Sequence, residues 1–132
     1  MKTEVFWLTL TAVMTGLFFV PYVLDRIVVR GLMGAMANPS PSAKPQHAWA
    51  ERAKLAHYNA VENLVVFAAL VAAAQFAGIS TPITAFGCAL YFWARLAHYL
   101  VFTAGIPVLR TLCFSAGVVG QALIALPLLQ AM

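Results

Sequence analysis

Glu62 and Asn63 stand three and four residues after Asn59, and further along the chain Arg95, His98 and Phe102 follow one another at spacings of three and four. Such spacings put side chains on one face of a helix. Arg52 extends the first face back towards the preceding segment. Arg110 stands three residues after Pro107, and proline suits the first turn of a helix. The free N–H groups and the dipole of a helix start favour negative charge. Arg30, Arg52, Arg95 and Arg110, with Lys54, His57 and His98, therefore read as the makings of a cationic pocket for an anion.

Other chemistries are poorly served. His57 and His98 have no third ligand at a convincing spacing, so no metal site is expected. No serine or cysteine has a base at usable spacing, and no glycine-rich loop is placed to cradle a phosphate. Cys88 and Cys113 lie inside apolar runs and read as small buried hydrophobes.

The elements that must position these residues follow from composition. Of 132 residues, 63% are hydrophobic and 9% charged, against ~45–50% and ~25% in a soluble domain. A water-soluble globule and a disordered chain are both excluded. The net charge of +4 comes from eight scattered cations that form no basic face, and no nucleic-acid partner is expected. Seven of the twelve charges lie between positions 25 and 54, which marks a loop.

A membrane helix needs ~20 mainly apolar residues. The charge-free runs, broken at Gly78 to Pro82 and again at Gly105 and Pro107, define four spans at about 5–25, 55–77, 82–104 and 107–130. The expected fold is an all-α integral membrane four-helix bundle, with residues 1–132 as a single domain. The segment from Gly31 to Gln46 is rich in proline and serine and is expected to be irregular. Arg26, Arg30, Lys44, Arg52 and Lys54 place the long loop in the cytoplasm and both termini on the opposite side.

Charges inside spans are costly and usually face an interior. Glu62 lies 16 residues before Gly78 and Arg95 lies 13 residues after Pro82. At ~1.5 Å per residue these are depths of about 24 Å and about 19.5 Å from the shared turn. A Glu62–Arg95 ion pair is expected, within one chain or across a subunit boundary. Phe6, Trp7, Phe18, Phe19, Tyr91, Phe92 and Trp93 read as lipid-facing or interfacial anchors. Ala12/Gly16 and Ala116/Gly120 read as candidate helix-contact pairs.

The run from Glu51 to Asn63 (ERAKLAHYNAVEN) resembles the second-helix signature of the MAPEG family, the membrane-associated proteins in eicosanoid and glutathione metabolism. Arg95-Leu96-Ala97-His98 followed by Gly105, Pro107 and Arg110 resembles its helix 3–4 signature, and Ala37-Asn38-Pro39 after Arg30 fits its loop. The resemblance covers nearly the whole chain, and the compact form looks like the bacterial branch, which implies a bacterial inner membrane. It implies a homotrimer that binds glutathione between subunits at the cytoplasmic side, with Arg110 stabilising the glutathione thiolate. It further implies that Arg30, Asn59, Glu62, Arg95 and His98 belong to that pocket, to which the position of Arg52 on the same helix face adds Arg52 as a substitute cation. The implied activity is a glutathione-dependent transferase or peroxidase acting on lipophilic electrophiles that arrive from the membrane lipid. Leu55 and Tyr58 stand where the prostaglandin synthase of the family has arginines, and Phe102 and Phe114 stand where it has tyrosines. These departures carry the alternative, a non-catalytic lipid-binding or scaffold protein of the same fold.

Overall fold

A computed structural model describes all residues, 1–132, and its regular structure is entirely helical. Helices α1 (Thr3–Leu17) and α2 (Phe19–Met36) follow one another with only Phe18 between them and together supply the first span. They are followed by α3 (Ala48–Phe76), α4 (Pro82–Ala104) and α5 (Pro107–Gln130). This makes four helices long and apolar enough to cross a membrane. Only 24 of 132 residues are buried, while Val13, Val28, Val65, Leu112 and Leu129 lie exposed. A surface this apolar is matched to lipid rather than water, and the chain is an integral multi-pass membrane protein.

Proline and glycine set the boundaries. Pro21 cannot donate to the carbonyl of Leu17, so the first span is interrupted at Phe18, whose N–H bonds to Thr15 O instead. At Gly31 the backbone takes φ 70° and ψ 168°, a conformation open essentially to glycine. The chain turns there, adds a short helical stretch at 32–36, and runs irregularly to His47. Thr81 caps α4 by accepting from the Thr84 N–H, and the Thr84 hydroxyl accepts from the Thr81 N–H in return. Gly105, at φ 82°, ends α4 in the left-handed form.

The third and fourth spans begin and end at the expected residues, at Pro82–Ala104 and Pro107–Gln130. The first two do not. The first helix outlasts the expected end at 25 because Asp25, Arg26 and Arg30 find polar partners in the loop. Asp25 accepts from the Gln46 amide and from the backbone N–H of His47, and pairs with His47 Nδ1 at 2.5 Å. Arg26 Nε donates to Gln46 Oε1 and Arg30 Nε to Lys44 O. Helix α3 starts seven residues before the expected 55, and its first turns carry Glu51, Arg52 and Lys54.

Packing is divided between two clusters. At the loop end, Phe18 stacks on Tyr99 with ring centroids 3.9 Å apart. They lie against a stripe of alanines on α3, Ala50, Ala53, Ala56 and Ala60, whose small side chains let the helices approach. At the far end, Phe67 stacks on Tyr91 at 4.0 Å, among Val71, Ala74, Cys88 and Ile124. Phe18 and Tyr91 are therefore core residues and not lipid anchors, whereas Phe6, Phe19 and Trp93 are exposed. The close helix contact is Gly87 against Gly120, where α4 and α5 cross. Gly16 faces open space, so the Ala12/Gly16 pair mediates no contact within the chain.

Glu4 is fully buried at the far end of the bundle. Its carboxylate accepts from Thr84 Oγ1 at 2.6 Å and from Ser80 Oγ at 3.0 Å, beside the first turn of α4. Negative charge at a helix start is stabilising, and these bonds satisfy a carboxylate that would otherwise be buried alone.

Candidate functional site

Near the loop end, α3, α4 and α5 enclose a cavity of about 190 Å³. Asn59 enters it from α3, His98 and Phe102 from α4, and Arg110, Thr111 and Phe114 from α5. The turn at Gly105–Ile106 folds α5 back on α4, which brings Arg110 over the Phe102 ring with its Cζ 4.5 Å from the ring centre. That is a cation–π contact. Arg95 sits behind the cavity, only 2% exposed, with its Cζ 5.9 Å from the Phe114 ring.

The electrostatics of this region are one-sided. The sole ion pair in the chain is His47–Asp25, which joins α2 to the end of the loop. Neither Arg95 nor Arg110 has a carboxylate partner. Arg95 instead donates from Nη2 to Asn59 Oδ1 at 2.5 Å. Arg95 Nε and His98 Nδ1 are buried with no hydrogen-bond partner. Buried polar groups are almost always paired, so the site holds unspent hydrogen-bonding capacity beside uncompensated positive charge.

The ion pair expected between Glu62 and Arg95 does not form within the chain. Glu62 is exposed and has no partner there. Depth along the helix placed both residues at the right level, but three residues on a helix of 3.6 per turn leave a rotation of about 60°. That rotation turns Asn59 inward to Arg95 and Glu62 outward. Asn59→Ala is accordingly expected to lower stability by about 2 kcal/mol, the worth of a hydrogen bond to a charged group. Thermal unfolding in detergent measures it, and Glu62→Ala serves as the comparison that leaves the Arg95–Asn59 bond in place.

Arg52 and Arg30 also lie outside the cavity. Arg52 crosses from α3 to the end of α4, donates from Nε to Thr103 O at 2.9 Å, and packs against Gly105. It thus caps α4 and supports the turn from which Arg110 departs. Arg30 lies on α2 against the loop. Thr111 is a cavity residue that spacing did not single out; its only signal was adjacency to Arg110. The pairing of Tyr22 Oη with His57 Nδ1 at 2.8 Å was likewise illegible, because it joins helices at positions 35 residues apart.

Fold and site together define a small polytopic membrane protein with a cationic cavity where its helices meet the loop. The model of the MAPEG family matches residues 5–129, and the chain belongs to that family. Membership supports glutathione-related transferase or peroxidase chemistry in a membrane at the level of the family. No curated protein matches the chain in a direct sequence comparison.

Glutathione fits the donor set. It carries two carboxylates and a thiol, and the cavity offers the Arg110 guanidinium, the unpartnered His98 Nδ1, the Asn59 amide and the Thr111 hydroxyl. The space of about 190 Å³ is smaller than the ~300 Å³ at which pockets for ligands of this size begin.

Proposed function

We propose that the protein is a glutathione-dependent membrane transferase or peroxidase acting on lipophilic electrophiles, with the thiolate held beside Arg110. The single observation that carries this reading is the Arg110 guanidinium in the cavity wall, with the Arg95 guanidinium buried behind it and no carboxylate paired with either. A free thiol has a pKa of about 8.5, and an adjacent cation lowers it. Glutathione bound here loses its thiol proton to water, and the thiolate sulfur then attacks an electrophilic carbon, forming C–S as the leaving group departs, or a peroxide oxygen. Attack on the peroxide breaks the O–O bond, releases the alcohol and leaves a glutathione sulfenic acid, which a second glutathione reduces to the disulfide with loss of water. The cation takes the place of a general base.

The small volume within one chain supports a homotrimer in which a neighbour closes the site. Glu62 is exposed in the membrane-spanning part of α3 and Arg30 is half-buried on α2. Both join the site from across a subunit boundary in this reading. The loop of residues 37–47 faces the cytoplasm, the termini face the other side, and the membrane is the bacterial inner membrane. A second reading, a lipid-binding scaffold without catalysis, is favoured by Leu55 and Tyr58. They are 55% and 51% exposed, on the helix that carries Asn59, and offer no cation to a ligand.

Calorimetry of detergent-purified protein with glutathione tests the proposal. Saturable binding is expected, together with conjugation of a nitro-substituted aryl chloride, in which a C–S bond forms as chloride leaves. Absence of both binding and turnover sinks the catalytic reading in favour of the scaffold.

A further inference from the structure

The end of α4 leaves one carbonyl in need of a partner from outside. In a helix that ran on, Thr103 O would accept from the backbone N–H four residues later. That residue is Pro107, which has none. The turn's own bonds serve other carbonyls, since the Gly105 N–H donates to Val101 O and Phe102 O, and the Ile106 N–H to Val101 O. No basic residue stands in the last turn of α4 to answer the negative end of its dipole. Arg52 does so from α3, with its Nε 2.9 Å from Thr103 O. Its guanidinium also packs on Gly105, where a Cβ would sit 3.2 Å from both Nε and Cζ. A side chain at 105 is thus opposed twice, by the φ of 82° and by the arginine.

The same stretch of chain holds Arg110 at both its backbone and its tip. The Arg110 N–H bonds to Ile106 O at 3.2 Å, so the first turn of α5 hangs from the residue after Gly105. The Arg110 guanidinium rests on Phe102, the neighbour of Thr103, with its Cζ 4.5 Å from the ring centre. No carboxylate fixes it independently. Arg52 itself lines neither the cavity that Arg110 enters nor the hollow between α2 and α3. Its reach to the ligand site therefore runs through the turn.

We infer that Arg52 is a positioning residue, which holds the α4–α5 turn and through it places the Arg110 guanidinium at the cavity. The kinetic consequence rests on the reading of Arg110 as the group that holds the thiolate. Only the turn at Gly105–Ile106 and the first turn of α5 separate the carbonyl that Arg52 grips from Arg110. A displacement of about 1 Å in a reacting site is enough to lower a rate by up to about 100-fold.

Arg52→Met is the test variant, because methionine keeps an apolar stem of similar length and removes the donor. Hydrogen exchange of the full-length protein in detergent, followed by mass spectrometry, reads the turn whether or not the protein turns over. Residues 103–110 should exchange about tenfold faster in Arg52→Met, the scale of one hydrogen bond from a charged group. The part of α5 beyond Gly117 should be unchanged. Arg52→Lys restores a cation and a donor and should return most of the protection. With glutathione and the nitro-substituted aryl chloride, Arg52→Met should lower kcat about tenfold at nearly constant KM and move the pH profile up. In an Arg110→Ala background the same change should have no further effect on kcat. Unchanged exchange at 103–110, or Arg52→Lys as impaired as Arg52→Met, overturns the inference. A raised KM with kcat and pH profile intact overturns it too, because Arg52 would then touch glutathione itself. So does a fully additive loss in the double variant. Absence of turnover in the wild type sinks the catalytic reading alone, and the exchange rates still decide whether Arg52 holds the turn.

Discussion

Arg110→Ala is expected to lower glutathione-dependent turnover about 100-fold, the scale seen when one stabiliser of a developing negative charge is removed. Stability should be nearly unchanged. Arg110 is half-buried, and beyond its contact with Phe102 it makes no side-chain hydrogen bond on which the fold leans. The defect should show in the pH profile as well as the rate. With Arg110 present, the bound thiol ionises below the ~8.5 of a free thiol, and without it the profile moves up towards that value. Arg110→Lys keeps the charge but loses the flat face that lies on Phe102, so it should recover part of the rate. An alanine variant with wild-type turnover and an unshifted profile would remove Arg110 from the chemistry.

Gly120→Ala is expected to be the most damaging single methyl in the molecule. A Cβ at Gly120 would sit 2.8 Å from the carbonyl oxygen of Gly87 and 3.0 Å from the backbone nitrogen of Tyr91. Both are main-chain atoms, so no rotamer change relieves the overlap and α4 and α5 must separate. Their separation disturbs the helix pair that carries His98, Phe102, Arg110 and Phe114. Overpacking of this kind costs up to about 3 kcal/mol, read as a fall in the thermal midpoint in detergent. Gly16→Ala is the matched control. Its Cβ meets nothing within 4 Å, and alanine in a helix is worth ~0.5–1 kcal/mol over glycine. A Gly120→Ala protein as stable as the wild type would mean that the two helices do not cross at this distance.

The contrast between those glycines shows what the sequence could and could not disclose. Gly16 and Gly120 both end small-xxx-small pairs, yet only Gly120 lies against another backbone. Spacing identifies a face but not the partner that the face meets. The same limit separates Asn59 from Glu62. Rise per residue brought Arg95 close to this part of α3, and the choice between two acceptors a turn apart then depended on the rotation of α3 about its own axis. Span ends were legible where Pro82, Gly105 and Pro107 forbid continuation. They were illegible at Asp25 and Glu51, because charge ends an apolar run without ending a helix. Arg52 is the clearest case for the site. Its residue type and position suggested a ligand contact, whereas the end of α4, 51 residues on, takes its Nε hydrogen. Of the residues expected to line one cationic pocket, His98 and Arg110 meet at the α3–α4–α5 cavity, Arg30 and Lys54 line a separate hollow between α2 and α3, and Arg52, His57 and Arg95 line neither.

The buried carboxylate near the N-terminus has a consequence for the order of events as the chain is made. Glu4 lies on α1, while the hydroxyls that bond to it, those of Ser80 and Thr84, lie some eighty residues later. Domains and segments emerge from the N-terminus at ~5–20 residues per second, so for several seconds the carboxylate has no protein partner. Until α4 arrives, the leading end of the first helix must keep Glu4 in contact with water. Only the α3–α4 turn then allows it to be drawn in. The end of α1 that carries Glu4 can thus be seated only once the turn at Ser80–Thr84 has formed.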